Sequence, residues 1–199
     1  MYYQRLKYAL LFSGWLFTLS VNALETHQAP QLSMLVNTCV ACHGIKGSSV
    51  GPATPIIAGM HKPLFLKAMR DMKSGKRPST LMGLIAKGYT DQEFQLMADF
   101  FTQQKIVRYP QPFDKEKARR GRLLHNQYCN GCHKMEGPTE LLSNNLAGQK
   151  MPYIRQRLFE FINGEDQSTP VMASSLKYFI QNNSESDLDD LIHYFGSHQ

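Results

Sequence analysis

The run Cys-x-x-Cys-His occurs twice in this chain, as Cys39, Cys42 and His43 and again as Cys129, Cys132 and His133, at an offset of 90 residues. If these runs mark two copies of one unit, other features must recur at nearly the same spacing, and they do. Ile57-Ala58-Gly59 maps onto Leu146-Ala147-Gly148 at an offset of 89, as do Pro63 onto Pro152 and Gly75 onto Gly164. Met82 maps onto Met172 at an offset of 90, and each methionine lies 39 residues beyond its histidine. Near the end of each copy the apolar stripe Phe94, Met97, Ala98 and Phe101 is repeated by Leu188, Leu191, Ile192 and Phe195. Both stripes have the i, i+3, i+4, i+7 spacing of an amphipathic helix.

The rest of each copy reads the same way. A helix leads into the cysteines, and a loop rich in Gly and Pro follows. A helix over "PLFLKAMRDMKSG" or "PYIRQRLFEFING" comes next, then a methionine-bearing loop and the closing helix. Thr90 to Glu93 forms a capping box at the start of the first closing helix, and Ser184 and Asp187 occupy similar positions in the second. No segment shows convincing strand alternation, so the fold class is all-α, with about 88 residues per unit, inside the range of a small domain. "RYPQPFD" at Arg108 to Asp114 carries two prolines that disfavour a continuous helix and suit an extended linker. The domains are therefore expected at 24–110 and 111–199.

The first 23 residues differ in kind. Arg5 and Lys7 precede a mostly apolar run from Tyr8 to Leu19, and Val21-Asn22-Ala23 is a small-x-Ala cleavage pattern. This predicts a signal peptide over 1–23, export, and cleavage after Ala23. The apolar run is shorter than the roughly 20 residues that cross a bilayer, which disfavours a retained anchor. Removing Arg5 and Lys7 lowers the formal charge from +6 to +4. That mild excess is spread along the chain, and its densest cluster, Lys115 to Arg122, contains Glu116 and reads as a solvated helix face. No nucleic-acid partner is expected.

All four cysteines of the chain belong to the two clusters. One zinc ion would have to tie together pairs with 86 residues between Cys42 and Cys129 and would leave both histidines unexplained. A thioredoxin-like pair calls for a βαβ setting, and a plain disulfide makes no use of the histidine. Covalent attachment of haem c uses all three residues: two thiols a little under one helical turn apart add to the porphyrin edge, and the next imidazole binds iron. Two such clusters predict two covalently bound haem c groups, held by Cys39, Cys42, Cys129 and Cys132, with His43 and His133 on the irons.

The sixth iron ligand decides between electron transfer and binding of a small substrate. Among ten methionines, Met82 and Met172 recur as a pair at equal distance from the histidines, and their soft thioethers suit iron. Met69, Met72 and Met97 sit at helical spacing among apolar residues and read as packing. His61, His125 and His193 do not repeat and read as surface or core residues. Pro52 or Pro55 offers the backbone carbonyl that should orient His43, whereas Asn144 stands where the second copy would have Pro55.

On these residues each unit resembles a class I cytochrome c domain, and the tandem resembles diheme cytochromes of the cytochrome c4 type. "GPATPIIAG", "SGKRPSTLMGLIAKGYTDQEFQLMADFF" and the ending from "LAGQKMPYIRQRLFEFINGE" resemble more narrowly the cytochrome subunit of flavocytochrome c sulfide dehydrogenase. The resemblance implies a periplasmic electron-transfer subunit with no catalytic residues of its own. Its expected donor is an FAD-containing subunit and its acceptor a small cytochrome or a terminal oxidase. The alternatives are a free-standing carrier and, from another class, a diheme peroxidase-like enzyme.

Overall fold

The computed structural model describes residues 19–134 and 146–199. Most of the expected signal peptide, Met135 and Asn144 lie outside the described residues. Among the described residues every regular element is helical: α1 (Leu19–His43), a 3-10 turn (Ile45–Gly47), α2 (Lys62–Ser74), α3 (Met82–Lys87), α4 (Asp91–Thr102), α5 (Lys115–Tyr128), α6 (Met151–Ile162), α7 (Pro170–Asn182) and α8 (Glu185–Gly196). The chain divides into two compact units, Met1–Thr38 and Cys39–Gln199. In the first, the described residues belong to α1. The second contains both Cys-x-x-Cys-His runs.

The apolar stripes dictate which faces are covered. Phe94, Met97, Ala98 and Phe101 of α4 are at most 2% exposed, and Leu188, Leu191, Ile192 and Phe195 of α8 at most 3%. Each large side chain so covered contributes about 1.5–3 kcal/mol, which makes α4 and α8 the anchors of their halves. Phe65 of α2 stacks on Phe101 with ring centres 5.8 Å apart. In the second half Ile154 and Leu158 of α6 and Leu176 and Phe179 of α7 close over the α8 stripe.

Both capping boxes form. The Thr90 and Ser184 hydroxyls accept from the backbone N–H of Glu93 and Asp187, whose carboxylates accept from the backbone N–H of Thr90 and Ser184 in return. Thr90→Ala should therefore cost about 1 kcal/mol, read as a lower denaturant midpoint with an unchanged m-value.

The repeat extends to the backbone. Gly59 and Gly148 both adopt positive φ, 66° and 70°. This turns their N–H groups onto matching carbonyls of the closing helices, Gly59 to Phe101 at 2.8 Å and Gly148 to Phe195 at 2.9 Å. A side chain would strain this conformation, and a Cβ on Gly148 would lie 2.1 Å from the His198 carbonyl oxygen.

Two elements differ from the sequence expectation. Met82 opens the helix α3, and Met172 lies in the first turn of α7 rather than in a loop. Pro170 supplies a favourable start for α7. Gly83 and Gly88 keep α3 short, whereas the matching positions in α7 are Ala173 and Tyr178, and that helix runs on for 13 residues. Nor is Lys115–Arg122 simply a solvated face. Arg120 makes a two-point ion pair with the buried Asp190 carboxylate at 2.6 and 2.7 Å, and Lys117 reaches Asp189 at 2.6 Å, so this basic stretch fastens α5 to α8.

The segment between α4 and α5 is extended, as its prolines require, and it is pinned along its length. Val107 N–H donates to Ser48 Oγ at 3.1 Å, and Arg108 Nε donates to the Ala147 carbonyl at 2.8 Å. Gln111 donates to the Gln149 carbonyl at 2.9 Å and accepts from Met151 N–H at 3.1 Å. Gln199 closes over it, donating to the Gln111 carbonyl at 2.7 Å.

Candidate haem sites

The first cluster ends α1. Its histidine, His43, is 7% exposed, and its Nδ1 lies 2.9 Å from the Pro55 carbonyl oxygen. A carbonyl only accepts, so Nδ1 carries the proton and Nε2 keeps its lone pair for a metal. Of the two prolines in the loop, Pro55 provides the acceptor. Burial lowers the His43 pKa, with the Pro55 bond opposing it, a shift toward the neutral imidazole that a ligand must be.

The second cluster is a tight turn at the end of α5. His125 O accepts from Cys129 N–H at 2.8 Å, and Cys129 O accepts from Cys132 and His133 N–H at 3.2 and 2.8 Å. Burial, then the neighbouring His125, lowers the His133 pKa. His133 Nδ1 is buried and has no hydrogen-bond partner among the described residues.

His125 is itself 1% exposed and donates from Nε2 to the His133 carbonyl at 2.6 Å, so it holds the turn rather than a metal. His193 Nδ1 accepts from Asp114 N–H at 2.9 Å, and His61 stands at the N-cap of α2. None of His61, His125 and His193 repeats at a matching position in the other copy.

No disulfide joins the cysteines; Cys42 and Cys132 are exposed, and Cys39 and Cys129 half-buried. Burial pushes the Cys129 thiol up to about 11. Cys129 and Met172 border the same apolar cluster in the second half. Among the described residues the two cysteine pairs are not gathered into one metal-binding group.

The surroundings fit a large flat apolar ring. Next to Met82, Leu81 and Leu84 are 65% and 67% exposed, and next to Met172, Val171 is 72% exposed. Ile45 and Val50, just beyond the first cluster, and Tyr178 on α7 are exposed as well. These exposed apolar side chains, close in sequence to the first cluster and to the methionines, offer surface that a porphyrin face would cover. A groove lined by Gln127, Tyr128, Ser174, Ser175 and Tyr178 runs between α5, which leads into Cys129, and α7, which carries Met172.

No protein-family model matches the chain. Cytochrome c4 of Pseudomonas aeruginosa is 31% identical over 147 residues, covering 68% of this chain and 73% of that protein. A "Cytochrome subunit of sulfide dehydrogenase" from Chlorobaculum tepidum is 42% identical over 64 residues, covering 32% of this chain and 57% of that protein. The crystal structure of reduced cytochrome c4 from Pseudomonas stutzeri superposes with a TM-score of 0.71 at 24% identity, covering 86% of this chain and 98% of that structure. With its two Cys-x-x-Cys-His halves built on this helical frame, the chain belongs to the cytochrome c4 family, diheme c-type cytochromes that carry electrons on two covalently attached haem c groups.

Proposed function

We propose that this chain is an exported electron carrier with two haem domains, 24–110 and 111–199, which takes electrons from a dehydrogenase partner. Cys39 and Cys42 would hold one haem, with His43 and Met82 binding its iron. Cys129 and Cys132 would hold the other, with His133 and Met172. Haem supplies one-electron chemistry, and the protein's part is to hold, orient and shield it. The observation that carries the ligand assignment is the buried His43 with its Nδ1 committed to Pro55; the Cys-x-x-Cys-His run and the methionine 39 residues beyond it are copied in the second half.

Haem counting tests the assignment. Replacing Cys39 and Cys42 together by alanine, or Cys129 and Cys132 together, should lower covalent haem from two per chain to one, read by pyridine haemochrome and intact mass. Loss of both groups from either variant, or of neither, would sink it.

The donor is an FAD-bearing sulfide dehydrogenase subunit and the compartment is the periplasm. The donor assignment is supported by the similarity to the Chlorobaculum tepidum subunit, the compartment by the export pattern before Ala23. No described helix is long and apolar enough to cross a membrane. A second reading, a free-standing carrier feeding a terminal oxidase, is favoured by the longer reach of the cytochrome c4 similarity. Purification from the native host separates the two, since a stable complex with a flavoprotein is expected only of the first.

A further inference from the structure

Gln149, just after the turn at Ala147-Gly148 in the second half, is 6% exposed and points its amide at the first half. Its Oε1 accepts from the Ile56 backbone N–H at 2.8 Å, and its Nε2 donates to the Ile56 carbonyl at 3.0 Å. Oε1 also accepts from the Lys150 N–H at 3.0 Å, which fixes the rotamer. One side chain thus satisfies both polar groups of a residue 93 positions away, as a neighbouring strand would. Ile56 directly follows Pro55, whose carbonyl accepts from His43 Nδ1.

We infer that Gln149 is a positioning residue through which the second half sets the hydrogen bond behind His43. The inference rests on the reading of His43 as an iron ligand. A firm bond from Nδ1–H makes an imidazole a more basic ligand, which favours the oxidised metal and lowers its potential. The clasp on Ile56 holds the Pro55 carbonyl in place and so keeps that bond short. The dependence is one-sided: the position matching Gln149 in the first half is Met60, whose thioether has no proton to donate.

The test is Gln149→Met, which keeps roughly the volume and removes both hydrogen bonds to Ile56 along with the one from Lys150 N–H. Potentials are followed separately at each haem by NMR redox titration of the haem methyl signals. The haem on Cys39 and Cys42 should shift to higher potential and the other should not move. The His43 Nδ1–H signal should exchange faster with solvent. Gln149→Ala, which admits water to Ile56, serves if the methionine variant does not fold. Tyr153→Phe removes a different contact between the halves, the 2.8 Å bond from Arg77, and should leave both potentials in place. A folded two-haem Gln149 variant with no shift at the first haem, or with equal shifts at both, overturns the inference. So does a Tyr153→Phe shift as large as that of Gln149→Met. If instead His43 is not a ligand, the unmodified protein itself will lack a histidine–methionine signature at that haem, which separates the two failures.

Discussion

Met82→Leu is expected to let one carbon monoxide bind per reduced chain, where the unmodified protein binds none. Leucine preserves the bulk of the side chain and its place at the start of α3 but offers no lone pair, so the iron held at His43 gains an accessible sixth position. Met172→Leu should do the same at the other haem, and the double variant should bind two. The sulfur-to-iron charge-transfer band of the ferric protein should fall by half in each single variant and vanish in the double. Because thioether ligation raises the potential, each substitution should also lower the midpoint of its own haem. Rapid carbon monoxide binding by the unmodified chain would favour a peroxidase-like enzyme with one open iron. An intact band in Met82→Leu would assign the ligand to another side chain.

The second large effect concerns the scaffold. Gly121 of α5 sits where α8 crosses, and a Cβ there would lie 2.0 Å from the Asp190 carbonyl oxygen and 2.5 Å from its carbon. Two effects oppose one another in Gly121→Ala. Alanine is the better helix former by about 1 kcal/mol. The contact, however, is with backbone that cannot rotate away, and overpacking of this kind costs about 3 kcal/mol at the upper end of its usual range. The crossing would have to open, straining the Arg120–Asp190 pair beside it. We therefore expect a net loss of about 2 kcal/mol, and roughly 4–8 °C in Tm for a chain of this size. Gly88→Ala, where the nearest atom is 3.4 Å away, should stay within about 0.5 kcal/mol. Unchanged thermal unfolding of Gly121→Ala would show that the crossing is looser than its geometry implies.

Much of this architecture is legible in the residue pattern because it rests on short-range rules. The stripes on α4 and α8, their capping boxes and the glycines at 59 and 148 each follow from local periodicity or backbone conformation, and the repeat offset checks one copy against the other. The helical setting of Met82 and Met172 was less visible, since α3 spans only Met82–Lys87 and Pro170 suits a loop as well as a helix start. The role of Lys115–Arg122 was hidden because charge patterning alone does not say which face meets Asp189 and Asp190. Gln149 lies furthest from sequence rules: its partner is a backbone group in the other half, and no periodicity encodes that pairing. The one available signal was a departure from the repeat, a buried amide where the first copy has the apolar Met60.

The pinned segment from Val107 to Gln111 changes what joining two carriers accomplishes. Modules on a loose tether meet by diffusive search, so their exchange rate follows linker length and the viscosity of the medium. Here the connection is stitched by side chains and backbone to the body on either side of it, and the search step is absent. Electron passage between the proposed haem sites would then be governed by a separation built into the fold, as in one wire instead of two carriers on a leash.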